Sequence, residues 1–190
     1  GPDATQVARG ADVAAPYIPR KVKEAEEKGF DAVINSCAED PGVEKLRESV
    51  RIPVIGAGSA VAAVALTLGS KVGVLTLTGK VPKIIVKVLG KHFIAEAKPR
   101  NITTTLDLLK DKERSEVLRT AATLRNRGVD VIALGCTGYT TIGVAPEIQT
   151  ELKLPVIDPV VAAGLVAFHA TQPPQIGRTP SEAAILRTGD

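Results

Sequence analysis

Apolar residues along this chain gather in short uncharged runs, and between the runs the apolar positions recur every three or four residues among charged ones. The first pattern is that of strands buried on both faces, the second that of helices with one apolar side. A helix is predicted over 11–28, closed by Gly29, a residue type that commonly stops helices. Strand Asp31–Asn35 follows, then an Asp40-Pro41-Gly42 turn, helix Val43–Val50, strand Ile52–Ile55 and a small-residue helix from Ser59 to Leu68. Further on the pattern predicts strand Val72–Thr76, a basic helix over 80–91, a charged helix Asp111–Arg127 stopped by Gly128, and strand Val129–Leu134. Helix Val144–Leu152 with Pro146 in its first turn, strand Leu154–Ile157 and helix Pro159–Ala170 complete the series, and the tail after Gln172 reads as irregular. Strands alternating with helices predict an α/β fold with parallel sheets.

Two segments of this pattern echo each other. Gly29-Phe30-Asp31 leads through a buried strand to Cys37, and Gly128-Val129-Asp130 leads through another to Cys136. Downstream, Ile52-Pro53-Val54-Ile55 matches Leu154-Pro155-Val156-Ile157, and each leads into an alanine-rich helix. Repetition at this level predicts two related lobes with equivalent cysteines. Ligands of open α/β sheets bind beyond the carboxyl ends of strands, where both cysteines fall. A cysteine just before a helix feels its N-terminal amides and dipole, so both thiols are expected to have lowered pKa values. The competing account is that each cysteine is simply a small buried hydrophobe. The repeat counts against it, since packing gives no reason for cysteine to recur at both strand ends.

Composition narrows the function classes. The 190 residues suffice for one compact domain or two small lobes, and 44% hydrophobic content can supply a core. A net charge of +3 with no Lys/Arg block, and 3% aromatic residues, argue against nucleic acid as a partner. Two cysteines make no disulfide framework, and the expectation is a cytoplasmic protein with two free thiols. No Cys/His spacing suits zinc, and His92 and His169 stand alone, each expected at the surface or at a helix end. Residues 52–70 carry no charge, but Pro53, Gly56, Gly58 and Ser59 break them early, so no membrane span is expected. Gly56-Ala57-Gly58 imitates part of a dinucleotide motif but lacks its third small residue and its acidic partner. The chain contains no methionine and opens Gly1-Pro2-Asp3, which leads to the expectation of residues missing at the N-terminus.

The ordered set Asn35-Ser36-Cys37-Ala38-Glu39-Asp40-Pro41-Gly42, Leu46-Arg47-Glu48, Ile52–Gly56, Val72–Thr76, Gly135-Cys136-Thr137-Gly138 and Pro155–Pro159 resembles the aspartate/glutamate/hydantoin racemase superfamily over about residues 1–170. The Cys-x-x-Asp-Pro-Gly pattern is closest to the hydantoin racemase branch, although Gly-Cys-Thr-Gly-Tyr139 departs from the Gly-Cys-Ala-Gly common there, and the family's first strand is not visible. The resemblance implies two pseudo-symmetric lobes, each a parallel sheet flanked by helices, with the active site between them. Residues 1–70 plus 159–190 would form the first lobe and 71–158 the second. It implies Cys37 and Cys136 as the catalytic pair. Thr76, Thr78, Thr137 and Gly138 would border the substrate, and Ala38 and Glu39 would offer backbone donors.

The chemistry so implied is cofactor-independent racemisation, with one cysteine as thiolate base and the other as thiol acid on opposite faces of a carbon acid. The substrate would be a 5-substituted hydantoin or an amino-acid-like molecule, needing neither metal nor cofactor, and the protein is expected to be a homo-oligomer. The alternatives are a cysteine-dependent isomerase or decarboxylase of the same fold, and a small-ligand-binding relative without catalysis. A decarboxylase of this type keeps one of the two cysteines, so the pair favours racemase or isomerase.

Overall fold

The computed structural model describes residues 15–77 and 79–173. A single 3-10 turn, Ala15–Tyr17, enters helix α1 (Ile18–Glu27), so the predicted helix over 11–28 is realised in its latter part, with 11–14 outside the described residues. Next come β1 (Val33–Asn35), α2 (Val43–Ser49), β2 (Val54–Gly56) and α3 (Ala57–Leu68). Then follow β3 (Val72–Leu75), α4 (Lys83–Leu89), β4 (Phe93–Ala97), α5 (Asp111–Asn126) and β5 (Val131–Leu134). The short α6 (Gly138–Thr141), α7 (Ala145–Leu152), β6 (Val156–Ile157) and α8 (Pro159–Thr171) complete the described chain. The basic helix predicted over 80–91 is shorter: Pro82 sits in an extended conformation just outside it, and residues 90–92 tighten into a 3-10 turn.

The strands form two sheets. β1 and β2 pair in parallel, Val33 opposite Val54, Ile34 opposite Ile55 and Asn35 opposite Gly56. The other sheet has the order β4-β3-β5-β6, all parallel, with Val72–Leu75 of β3 in register with Val131–Leu134 of β5. Every residue of β3 and β5 is buried, which explains their unbroken apolar runs: helices cover both faces of the sheet. On one face Leu75, Ile132 and Leu134 meet Val117 and Leu124 of α5 and Ile148 of α7. On the other, Val72, Val74, Val131 and Ala133 meet the alanine-rich side of α3, together with Ile85 and Leu89 of α4 and Ala162 and Ala163 of α8. Small side chains let α3 lie close to α4, α8 and β5 at once. A third, smaller cluster of Val22, Val43, Leu46 and Val54 holds α1 and α2 against the two-stranded sheet.

α8 packs along α3 and reaches both β1 and β2, returning the chain to the first sheet. Among the described residues no helix is long and apolar enough to cross a membrane, and no group of His, Cys, Asp and Glu is placed to hold a metal ion. His92 lies in the 3-10 turn after α4 with its Nδ1 2.9 Å from the Ser70 carbonyl oxygen, and His169 lies in the last turn of α8.

Candidate active site

Cys37 stands two residues beyond β1, in a tight turn. The Cys37 N–H donates to the Asn35 carbonyl at 2.9 Å, and the Asp40 N–H to the Cys37 carbonyl at 3.0 Å. The turn is tied down by its own side chains. The Asn35 amide donates to the Pro41 carbonyl at 3.0 Å, and the Asp40 carboxylate accepts from the N–H groups of Gly58 at 2.7 Å and Ser59 at 2.8 Å. Asp40 therefore caps α3, and the turn lies flush on that helix's first residues. Glycine is required there: a Cβ on Gly58 would sit 2.0 Å from the Ala38 carbonyl oxygen, and one on Gly56 would sit 2.1 Å from an Asp40 carboxylate oxygen. The Gly56-Ala57-Gly58 sequence is thus a packing device for the Cys37 turn.

Cys136 follows β5 and Gly135. Its sulfur accepts the Gly138 N–H at 3.4 Å, and its carbonyl accepts the Tyr139 N–H at 3.2 Å, opening the one-turn α6. Cys136 is 7% exposed, whereas Cys37 is half-buried, and both are free thiols. The Tyr139 hydroxyl donates to the Thr76 carbonyl at 3.1 Å, fastening α6 to the end of β3. Burial, and secondarily the neighbouring Cys136, push the Tyr139 phenol above its ordinary range, so it stays a neutral donor. The Thr140 hydroxyl donates at 2.8 Å to Asp158, which also caps α8 by accepting from Val160 and Val161.

The two cysteine turns touch. The Thr137 hydroxyl lies 3.4 Å from the Ser36 carbonyl oxygen, joining residues 101 positions apart, each adjacent in sequence to a cysteine. Nothing in the spacing of the sequence reports that contact. Of the other expected site residues, Gly138 and Glu39 present backbone N–H groups to the sulfurs of Cys136 and Cys37 respectively. Ala38 is buried beneath the Cys37 turn. Thr76 is also buried, its hydroxyl donating to the Lys80 carbonyl at 3.2 Å, so it braces the loop after β3 rather than facing open solvent. Thr78 lies outside the described residues.

One expectation is overturned. The thiol of Cys37 is not acidified by a helix N-terminus; its pKa is raised. Burial is the main cause, the Glu39 N–H works against it, and the negative charges of Glu39 and Asp40 add to the rise. The helix following Cys37 begins only at Val43, and the nearby N-terminus of α3 is already occupied by Asp40. Glu39 is itself raised, by partial burial first, with Lys83 opposing and Asp40 assisting. A cavity of about 360 Å3 lies beside these turns but off the cysteines: it is lined by Ile18 and Lys21 of α1 and by Val33 and Ile34 of β1, and reaches the site at Asn35 and Ser36.

Two parallel sheets, each ending a strand in a cysteine-bearing turn, with the turns in contact, define an α/β protein of the kind whose ligands bind beyond strand ends. The model of the Asp/Glu/Hydantoin racemase family matches residues 1–165, and the chain belongs to that family. It is 32% identical over 164 residues to a hydantoin racemase of Rhizobium meliloti, covering 81% of this chain and 66% of that protein. A hydantoin racemase of Pseudomonas sp. (strain NS671) is 31% identical over 154 residues, 77% of this chain and 61% of that one, so the chain spans somewhat less than two thirds of these relatives. Among solved structures, allantoin racemase from Pseudomonas fluorescens is 26% identical with a TM-score of 0.73, covering 90% of this chain and 79% of that one.

Proposed function

We propose that this chain racemises a carbon acid without a cofactor, using Cys37 and Cys136 as the two proton-transfer groups on opposite faces of the substrate. The observation that carries the proposal is the contact between the Thr137 hydroxyl and the Ser36 carbonyl, which brings the two cysteine turns to one place. One sulfur, as thiolate, takes the proton from the carbon; the electron pair moves onto the adjacent carbonyl as an enolate; the other sulfur, as thiol, returns a proton from the far side. Each sulfur accepts an N–H from the residue two positions on, Glu39 and Gly138, which steadies the thiolate form when the proton arrives on the substrate. Burial raises the pKa of Cys37 and so favours its thiol form, the form that delivers a proton when this residue acts as the acid.

The substrate of this reading is a 5-substituted hydantoin or a related amino-acid-like molecule, following the names of the relatives. The negative charges beside Cys37, Glu39 and Asp40, suit a neutral cyclic diamide better than a dicarboxylate. In this reading Thr137 and Gly138, with the Ala38-Glu39 turn and Thr76 just past β3, surround that substrate. In this reading the first lobe is residues 1–70 with 159–190, the second is residues 71–158, and the substrate lies between them. The test is polarimetry of optically pure 5-substituted hydantoins and amino acids with the wild-type chain and its two single-cysteine variants. Loss of rotation by the wild type supports the reading. Racemisation at the wild-type rate after removal of either thiol defeats it.

A further inference from the structure

The groove between the edge strand β4 and helix α5 takes no part in that chemistry. It is a cavity of about 470 Å3 at the carboxyl end of β4, lined by four cations: Lys98 and Arg100 from the following loop, Arg119 on α5 and Arg127 just past its end. Two carboxylates, Glu96 and Glu116, stand against them. Glu116 is already engaged. It accepts from the Arg100 backbone N–H at 3.0 Å, from the Arg119 guanidinium at 2.8 Å and from the Thr120 hydroxyl at 3.4 Å. Among the described residues, no carboxylate lies within ion-pairing distance of Lys98, Arg100 or Arg127. Arg127 is nevertheless held in place, its Nη1 donating to the Glu96 carbonyl at 3.0 Å, which leaves further donors of its fork unused by that bond.

We propose that this groove binds a small phosphate-bearing molecule. Four cations against two carboxylates leave this concavity net positive, and the cations without an ion pair focus a potential that a multiply charged anion relieves. Guanidinium forks match phosphate oxygens in pairs. A volume of this size suits a small molecule, and a concave wall does not suit a flat membrane surface. The groove meets the candidate active site at Ala97, whose carbonyl accepts the Thr76 N–H at 2.9 Å, and none of the groove's lining residues has a role in the racemase reading.

The test is calorimetric titration of the full chain with inorganic pyrophosphate at low salt, paired with sedimentation on vesicles of anionic phospholipid. Saturable one-to-one binding is expected, weakened about tenfold or more by Arg100→Ala and by Arg127→Ala. It should be unchanged by Lys23→Ala on the exposed side of α1. If Arg127→Ala lowers the helical signal, Lys98→Ala, whose side chain makes no bond to the fold among the described residues, carries the same test. Absence of saturable binding, equal weakening by Lys23→Ala, or capture by vesicles without pyrophosphate binding would each overturn the proposal.

Discussion

The two cysteine turns sit at the ends of equivalent strands, yet their surroundings are built differently. β5 runs between β3 and β6 with all four residues buried, whereas β1 pairs with β2 alone among the described residues and shows Ile34 at its outer side. The helix after the next strand is capped by a carboxylate in both halves of the repeat, but from different places in the chain. In the second half it is Asp158, immediately before α8; in the first, the corresponding position is Gly56, and the carboxylate arrives from Asp40 in the cysteine turn itself. A Cβ at Gly56 would point into the Asp40 carboxylate. The repeat thus keeps a cap oxygen at one point in space while changing the residue that delivers it. In the first half this welds the turn to the helix. In the second, the turn reaches the cap more indirectly, through Thr140 and Asp158.

The largest expected effect tests whether these unlike halves are equal partners in chemistry. Cys37→Ser and Cys136→Ser are each predicted to lower racemisation by at least about 10²–10⁴-fold, the usual worth of a positioned acid or base, with the circular dichroism spectrum unchanged. In deuterated water a single variant should still exchange the substrate proton of one enantiomer without inverting it. A variant that inverts both enantiomers as fast as the wild type would mean that one half alone does the chemistry.

Next in size is the close approach in the first half. Gly58→Ala is predicted to destabilise the fold by about 1–3 kcal/mol in denaturant unfolding, because its new methyl would overlap the Ala38 carbonyl, a backbone atom with little room to retreat. Gly164→Ala, in α8 with nothing within 4 Å of the new Cβ, should be neutral or stabilising by up to about 1 kcal/mol. Equal effects at the two glycines would show that the Cys37 turn does not lie on α3 as described.

The exchanged cap can be tested directly. Asp40→Gly removes a cap usually worth about 1 kcal/mol, offset in part because glycine relieves the positive φ of 49° at that position, and Gly56→Asp should recover the net loss in the double variant by delivering the carboxylate from the position Asp158 occupies in the other half. A double variant no more stable than Asp40→Gly alone would show that the two caps are not interchangeable.

Much of this architecture could be read from the residues, and the parts that could not have physical reasons. The strand before Cys136 was legible because burial on two faces leaves an unbroken apolar run, Val131–Leu134, and the strand before Cys37 because it repeats the Gly-x-Asp lead and the apolar run of that segment although Ile34 is exposed. β4 was not: as an edge strand it buries only Ala95 fully, and Glu96 and Ile94 are exposed, so Phe93–Ala97 carries little pattern. The one-turn α6 is too short for any periodicity. Asp40 was legible as a turn residue but not as the cap of α3. The clue was the glycine at position 56 where the repeat has aspartate at 158. The contact of Thr137 with Ser36 joins distant parts of the chain and leaves no local trace. The sign of the Cys37 shift was misjudged because nearness to a helix in sequence was taken for nearness to its free amides, when Asp40 had already claimed them.

The smallest expected effect concerns that sign. Burial is the leading cause of the raised Cys37 pKa, and the Glu39 charge is a lesser one, so Glu39→Gln should lower the midpoint of Cys37 titration without returning it to the ordinary thiol range. The backbone N–H of residue 39 is kept by this substitution, which isolates the charge from the hydrogen bond. The measurement is the rate of iodoacetamide alkylation against pH, in a Cys136→Ser background so that a single thiol reports. Because only the thiolate reacts, a lowered pKa moves the rise in rate to lower pH. Racemisation should follow in the opposite sense where Cys37 serves as the acid: its loss of activity at high pH sets in earlier in Glu39→Gln than in the wild type. An alkylation midpoint that stays in place, or moves up, would mean that the Glu39 carboxylate is too well solvated, or too well balanced by Lys83, to be felt at the sulfur.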